Sequence, residues 1–112
     1  MIKKISKYIL IIILTFLITG CEFKSDTMEN IEIYTTTYPL NYLTNCLYGN
    51  YSKIFSIYPI GIDIDNYKLS DRKLKEYANS DLFVFNSLDI DKNYAVKMIN
   101  KNKDLKVIDV SL

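Results

Sequence analysis

The sequence predicts an α/β fold over residues 31–112, a four-stranded parallel sheet with flanking helices. Three observations carry that prediction. Four short runs rich in β-branched and aromatic residues alternate with three segments whose apolar residues recur at helical spacing. Pro39, Gly49 and Ser70 supply helix start and stop signals between them. One run, Leu82-Phe83-Val84-Phe85, is continuously apolar, as in a strand covered on both faces. Strand and helix in strict alternation build a parallel sheet through right-handed crossovers.

The chain opens on a segment that is not part of that fold. Lys3, Lys4 and Lys7 precede an apolar run from Tyr8 to Ile18, interrupted only by Thr15, and Thr19, Gly20 and Cys21 follow. A basic start, a short apolar stretch and small residues before a cut describe a secretory signal. The apolar run, about 11 residues, falls short of the roughly 20 that span a bilayer. The segment Ile18-Thr19-Gly20-Cys21 resembles the lipobox of bacterial lipoproteins. That resemblance implies a signal peptide over 1–20, a covalent lipid on the Cys21 thiol and a location on the outer face of the cell membrane. Residues 21–30 are polar and aperiodic and read as a flexible tether.

Ile31 to Thr37 reads as the first strand. Pro39 suits the first turn of a helix, where its missing N–H costs nothing, and Leu40, Leu43 and Leu47 form its apolar stripe up to Gly49. Tyr51 to Tyr58 is the second strand, closed by Pro59, and a loop runs to Leu69. Ser70 is an N-cap, Asp71 suits the positive helix end, and Leu74, Tyr77 and Ala78 face inward. Leu82 to Phe85 is the third strand, with Phe83 and Phe85 on one face and Leu82 and Val84 on the other. Lys92 to Asn102 is the third helix, with Tyr94, Ala95, Met98 and Ile99 on one side, and Leu105 to Val110 is the last strand. Little room is left after it for another helix over the sheet. Ligands of such sheets lie beyond the carboxyl ends of the strands, which places the loops 36–39, 59–70 and 86–91 at the functional rim.

Composition narrows the chemistry. Histidine is absent, which removes the commonest general base and metal ligand. The three glycines, Gly20, Gly49 and Gly61, form no phosphate loop, and the chain does not read as an enzyme. Of 14 Lys and Arg, three lie in the leader; the remaining 11 against 13 Asp and Glu leave the mature part at −2. A mature part without a basic patch excludes a nucleic-acid partner. With Cys21 lipidated, Cys46 stands alone and reads as a small buried hydrophobe. The densest polar stretch is Gly61-Ile62-Asp63-Ile64-Asp65-Asn66-Tyr67. Asp63 and Asp65 fit a hard cation held by oxygen, or turn chemistry in which carboxylates bond their own backbone. Asp89 and Asp91 read as helix-capping groups.

Five pieces in order resemble one family, the solute-binding lipoproteins of bacterial ABC transporters for zinc and manganese. They are Thr35 to Leu40, Leu43 to Asn50, Ser56 to Asp63 with Tyr67 closing the loop, Tyr77 to Leu88, and Leu105 to Ser111. The resemblance implies the first lobe of a two-lobed protein that takes one divalent metal between its lobes and passes it to an ABC permease. It also implies a chain that covers about the first third of such a protein, a truncated form. The family's first ligand is a histidine two residues past an aspartate and two before a tyrosine; here that position is Asp65, between Asp63 and Tyr67. Exchange of imidazole for carboxylate shifts preference from zinc toward harder ions. One or two carboxylates cannot fill a coordination shell, so the resemblance implies impaired metal binding. The alternative is a membrane-tethered interaction lobe, or a remnant, that binds no metal.

Overall fold

A computed structural model describes residues 1–16 and 28–111. The leader forms a helix, α1 (Ile2–Phe16), and among the described residues no helix is long and apolar enough to cross a membrane. Cys21 lies outside the described residues.

The remaining elements follow as β1 (Glu32–Thr35), α2 (Tyr38–Tyr48), β2 (Lys53–Ser56), α3 (Asp71–Ala78), β3 (Leu82–Phe85), α4 (Asp89–Lys101) and β4 (Lys106–Asp109). The sheet is four-stranded and parallel throughout, in the order β2-β1-β3-β4. The α/β class and the parallel sheet read from the sequence are therefore observed. The order reverses direction between β1 and β3. With right-handed crossovers such a reversal puts α2 on one face and α3 and α4 on the other. The packing agrees, since α3 and α4 supply Leu74, Tyr77, Tyr94, Ala95 and Met98 to a core that includes Tyr34, Phe83 and Phe85. Ile33, Leu82 and Val84 point to the opposite face. The pleat of β3 separates the two sets as its alternation predicts.

Local chemistry explains the element ends. Ser70 caps α3, its hydroxyl accepting from the Lys73 N–H at 3.3 Å. Lys101 at the end of α4 pairs with Asp71 at 2.6 Å and holds the exposed Asp71 carboxyl below its usual range. Gly49 stops α2, and a Cβ there would lie 2.5 Å from the Asn45 carbonyl oxygen. Asn102 ties α4 to α3 by donating from Nδ2 to the Ala78 carbonyl at 2.8 Å.

Three sequence expectations change. The Leu40, Leu43 and Leu47 stripe is not buried, with Leu43 56% and Leu47 72% exposed. Cys46 is exposed rather than buried, because α2 contributes no buried side chain at all. The reason is that the face under α2 is half open. Leu40, Leu43 and Leu47 border an apolar groove of about 430 Å³ floored by Ile33, Leu82 and Val84 and bounded by Ile108. Finally, Met28 and Asn30, read as tether, are bonded to the body. The Met28 carbonyl accepts from Ser52 Oγ at 2.9 Å, and the Asn30 N–H donates to the Tyr51 carbonyl at 2.6 Å.

Phe83 is fully buried while Leu47 is not. Phe83→Ala is expected to cost about 3–5 kcal/mol, comparable to the whole stability of a small domain. Leu47→Ala should stay within about 0.5 kcal/mol, as at other surface positions. Urea unfolding followed by circular dichroism checks both; equal losses would show that α2 packs far more deeply than described.

Candidate metal-binding rim

The floor of the rim is the end of β1. Thr35 and Thr36 are fully buried there, and the Thr36 N–H donates to the Val84 carbonyl at 3.2 Å. Thr35 Oγ1 donates to the Phe55 carbonyl, and Ser56 Oγ donates to the Thr36 carbonyl. These bonds lock the ends of β1, β2 and β3 together at the point where the strand order reverses, the place where ligands of open α/β sheets bind.

The loop 57–70 rises from that floor. Gly61 has φ +78°, a left-handed turn that glycine adopts without strain. Ile62 and Ile64 pack partly against the core, while the alternating Asp63 and Asp65 are exposed. The Asp63 carboxylate is engaged locally, accepting from the Asp65 N–H at 3.2 Å and from Asn66 Nδ2 at 2.5 Å. This is the turn chemistry that Asp and Asn provide in loops. The Asp65 carboxylate carries no hydrogen bond among the described residues and lines a shallow cleft of about 380 Å³. Lys68 and Lys97 line the same cleft, so the one free carboxylate there is outnumbered by cations. No group of three or more Cys, Asp or Glu side chains that could hold a metal occurs among the described residues. The structure thus brings Asp63 and Asp65 to one loop, with only Asp65 available to an ion.

A separate opening, a groove of about 590 Å³, runs along Thr37, Tyr38, Phe55 and Ile60. Its walls offer apolar groups, hydroxyls and the Asn41 side chain, and no carboxylate.

Asp91 is the residue that the capping assignment misplaced. Leu88 occupies the N-cap of α4 and no side chain caps it. Asp89 lies exposed in the first turn, whereas Asp91 is fully buried. Tyr58 Oη donates to Asp91 Oδ1 at 2.7 Å. Asp91 Oδ2 and Thr36 Oγ1 are buried without a hydrogen bond of good geometry. Burial pushes the Asp91 carboxyl above its ordinary value of 3.8; the Tyr58 and Thr36 hydroxyls oppose this by favouring the charged form. Burial and the Asp91 carboxylate also push the Tyr58 phenol strongly up. The signal for a buried Asp91 was present in the spacing. It lies three, four and seven residues before Tyr94, Ala95 and Met98, on the stripe that buries α4.

Fold and rim together define one α/β lobe of a solute-binding protein. The chain belongs to the family described as zinc-uptake complex component A, periplasmic, whose model matches residues 33–112. This family comprises solute-binding proteins rather than enzymes. No curated protein sequence matches the chain. Among solved structures it is similar to Zn(II)-bound AdcA of Streptococcus pneumoniae, with TM-score 0.60 and 21% identity over 71% of this chain and 18% of that one. AdcAII of the same species gives TM-score 0.61 and 20% identity over 74% and 32%. The solute-binding protein FpvC of Pseudomonas aeruginosa, in complex with Mn²⁺, gives TM-score 0.56 and 23% identity over 71% and 30%. At these identities the likeness establishes the fold. The chain spans between 18% and 32% of the length of these three proteins.

The raised Asp91 pKa has a definite sign. A carboxyl whose pKa is higher in the folded chain favours folding when protonated. Its contribution is full below 3.8 and is lost as pH rises through the folded value. Asp91→Asn, whose Oδ1 still accepts from Tyr58, removes that titration. Urea midpoints of parent and variant should therefore shift in the parent's favour as pH falls from about 7 to about 4. Parallel profiles would contradict the assignment.

Proposed function

We propose that this chain is the lipid-anchored solute-binding component of an ABC-type importer for a divalent metal, zinc or manganese, and that its own hold on the metal is impaired. The family match over the whole lobe is the observation that carries this reading. The Zn²⁺ and Mn²⁺ named with AdcA and FpvC support the class of cargo. An ABC permease in the membrane is the partner this role requires. The leader supports the anchor: Ile18-Thr19-Gly20-Cys21 stands behind three lysines and an apolar run, which fits lipid attachment at Cys21 and residence outside the cytoplasmic membrane.

The impairment follows from ligand arithmetic. Zinc takes four ligands and calcium six to eight, and the rim offers the Asp65 carboxylate, with Asp63 tied into its turn. Water must complete the shell, and a carboxylate favours a hard ion over zinc. Lys68 and Lys97 beside Asp65 further oppose a cation. That same pair of lysines favours the second reading, a membrane-tethered lobe that acts by protein contact and binds no metal.

Two measurements test these readings. Cys21→Ala should leave the precursor uncut and without lipid. Unchanged mass and detergent partitioning would refute the anchor. Titration of the chain with Zn²⁺, Mn²⁺ and Ca²⁺ should give dissociation constants near the roughly millimolar end of calcium sites, with the hard ions ahead and binding lost in Asp65→Ala. Submicromolar binding would overturn the impairment, and no binding at all would select the second reading.

A further inference from the structure

The loop that carries Asp65 is anchored at both ends by one helix. At its start, Tyr58 Oη donates to Asp91 Oδ1 of α4 at 2.7 Å, buried. At its end, Tyr94 Oη, one turn further along α4, accepts from the Leu69 N–H at 3.2 Å and donates to the Tyr67 carbonyl at 3.4 Å. The rings extend the contact: Tyr58 meets Tyr67 and Tyr94 edge-on, with centroids 6.0 and 6.4 Å apart. Between the anchors only Ile62 and Ile64 reach inward, so the segment bearing Asp63 and Asp65 is suspended between two fixed points.

We propose that Asp91 and Tyr94 are positioning residues that clamp the Asp65 loop onto α4 and so set where its carboxylate stands. The clamp rests for its purpose on the metal-facing reading of the rim, but its geometry stands without it. Asp91 is buried away from the cleft, and the Tyr94 hydroxyl is already engaged with Leu69 and Tyr67. Each acts on backbone and ring groups at a loop end. Tyr58 and Tyr94 are 36 residues apart in sequence, and the loop that starts at Tyr58 closes over α4, with α3 and β3 intervening in the chain. A loop pinned this way is preorganised: a ligand on it does not have to order the chain when the ion arrives. Movement of α4 against the sheet, in turn, would move both ends of the loop together.

Amide hydrogen exchange on the full chain tests the clamp directly, with the Phe83 amide of the central strand as an internal measure of global opening. Tyr94→Phe keeps the ring and removes both hydrogen bonds at the loop end. Tyr58→Phe removes the one at its start. Each is expected to speed exchange at Leu69 and Tyr67 roughly two- to tenfold relative to Phe83, the range that the loss of one hydrogen bond corresponds to. Asp91→Ala should do the same, whereas Asp91→Asn, which still accepts from Tyr58, should restore protection. A purely structural role would instead slow or speed all amides together. Mn²⁺-induced line broadening at Asp65 reads the purpose: the Tyr58→Phe/Tyr94→Phe chain should need roughly two- to tenfold more Mn²⁺ than the parent. If Mn²⁺ leaves the parent's Asp65 untouched, the metal reading falls and exchange alone judges the clamp. If loop exchange in the double variant tracks Phe83, the clamp is overturned.

Discussion

The burial of β3 on both faces is the constraint from which the rest of the lobe follows. Its four residues, Leu82 to Phe85, are all buried, and it alone pairs with both β1 and β4. Phe83 and Phe85 stack with centroids 5.8 Å apart over α3 and α4, while Leu82 and Val84 meet Ile33 on the other side. Once that strand is central, the reversal of strand order must fall beside it, between β1 and β3. The buried threonines at the end of β1 and the first turn of α4 are thereby brought to the same edge. Asp91 meets Tyr58 across 33 residues of sequence because of this topology, not because of any local preference.

The two faces of the sheet are unequal. One is closed by α3 and α4 over a core of thirteen buried residues, tied further by Asn102 and Lys101. The other has a buried set of three, Ile33, Leu82 and Val84, and α2 lies over it with its leucines largely in solvent. Apolar stripes report what a helix can bury, and burial itself depends on how much surface stands opposite. That is why the Leu40-Leu43-Leu47 stripe located α2 correctly yet overstated its packing, and why Cys46 on the same helix is exposed.

Most of the fold was legible because local and global preferences agree. The Ser70 cap, the stop at Gly49 and the run Leu82–Phe85 each need only neighbouring residues to be read, and each stands where the sequence places it. The sequence points to a helix start at Lys92, whereas α4 begins at Asp89, since two acidic residues near a helix start resemble caps whichever way they point. Asp91 shows the cost of reading charge before periodicity. Its position on the Tyr94, Ala95 and Met98 stripe marks it as inward, and a buried carboxylate calls for a donor that local sequence does not reveal. That donor, Tyr58, is found only once the strand order is known.

Two of the rim's acidic groups, Asp91 and Asp65, meet opposite fates, and the difference is electrostatic as much as steric. Asp91 is inside, where losing its water raises the cost of its charge, and it is held by the Tyr58 phenol. Asp65 is outside, where water bears its charge at little cost, so nothing in the fold requires it to be an aspartate. An acidic side chain needed for stability would show partners, as Asp63, Asp71 and Asp109 do. Asp65 shows none, and the groups sharing its cleft are two lysines. Among the described residues no ion pair joins those ammonium groups to Asp65, and salt screens the field they set up there. A divalent ion arriving at Asp65 would have to overcome that modest field with a single carboxylate, which is why a further set of ligands, from beyond this lobe, is the physical requirement for tight capture at this rim.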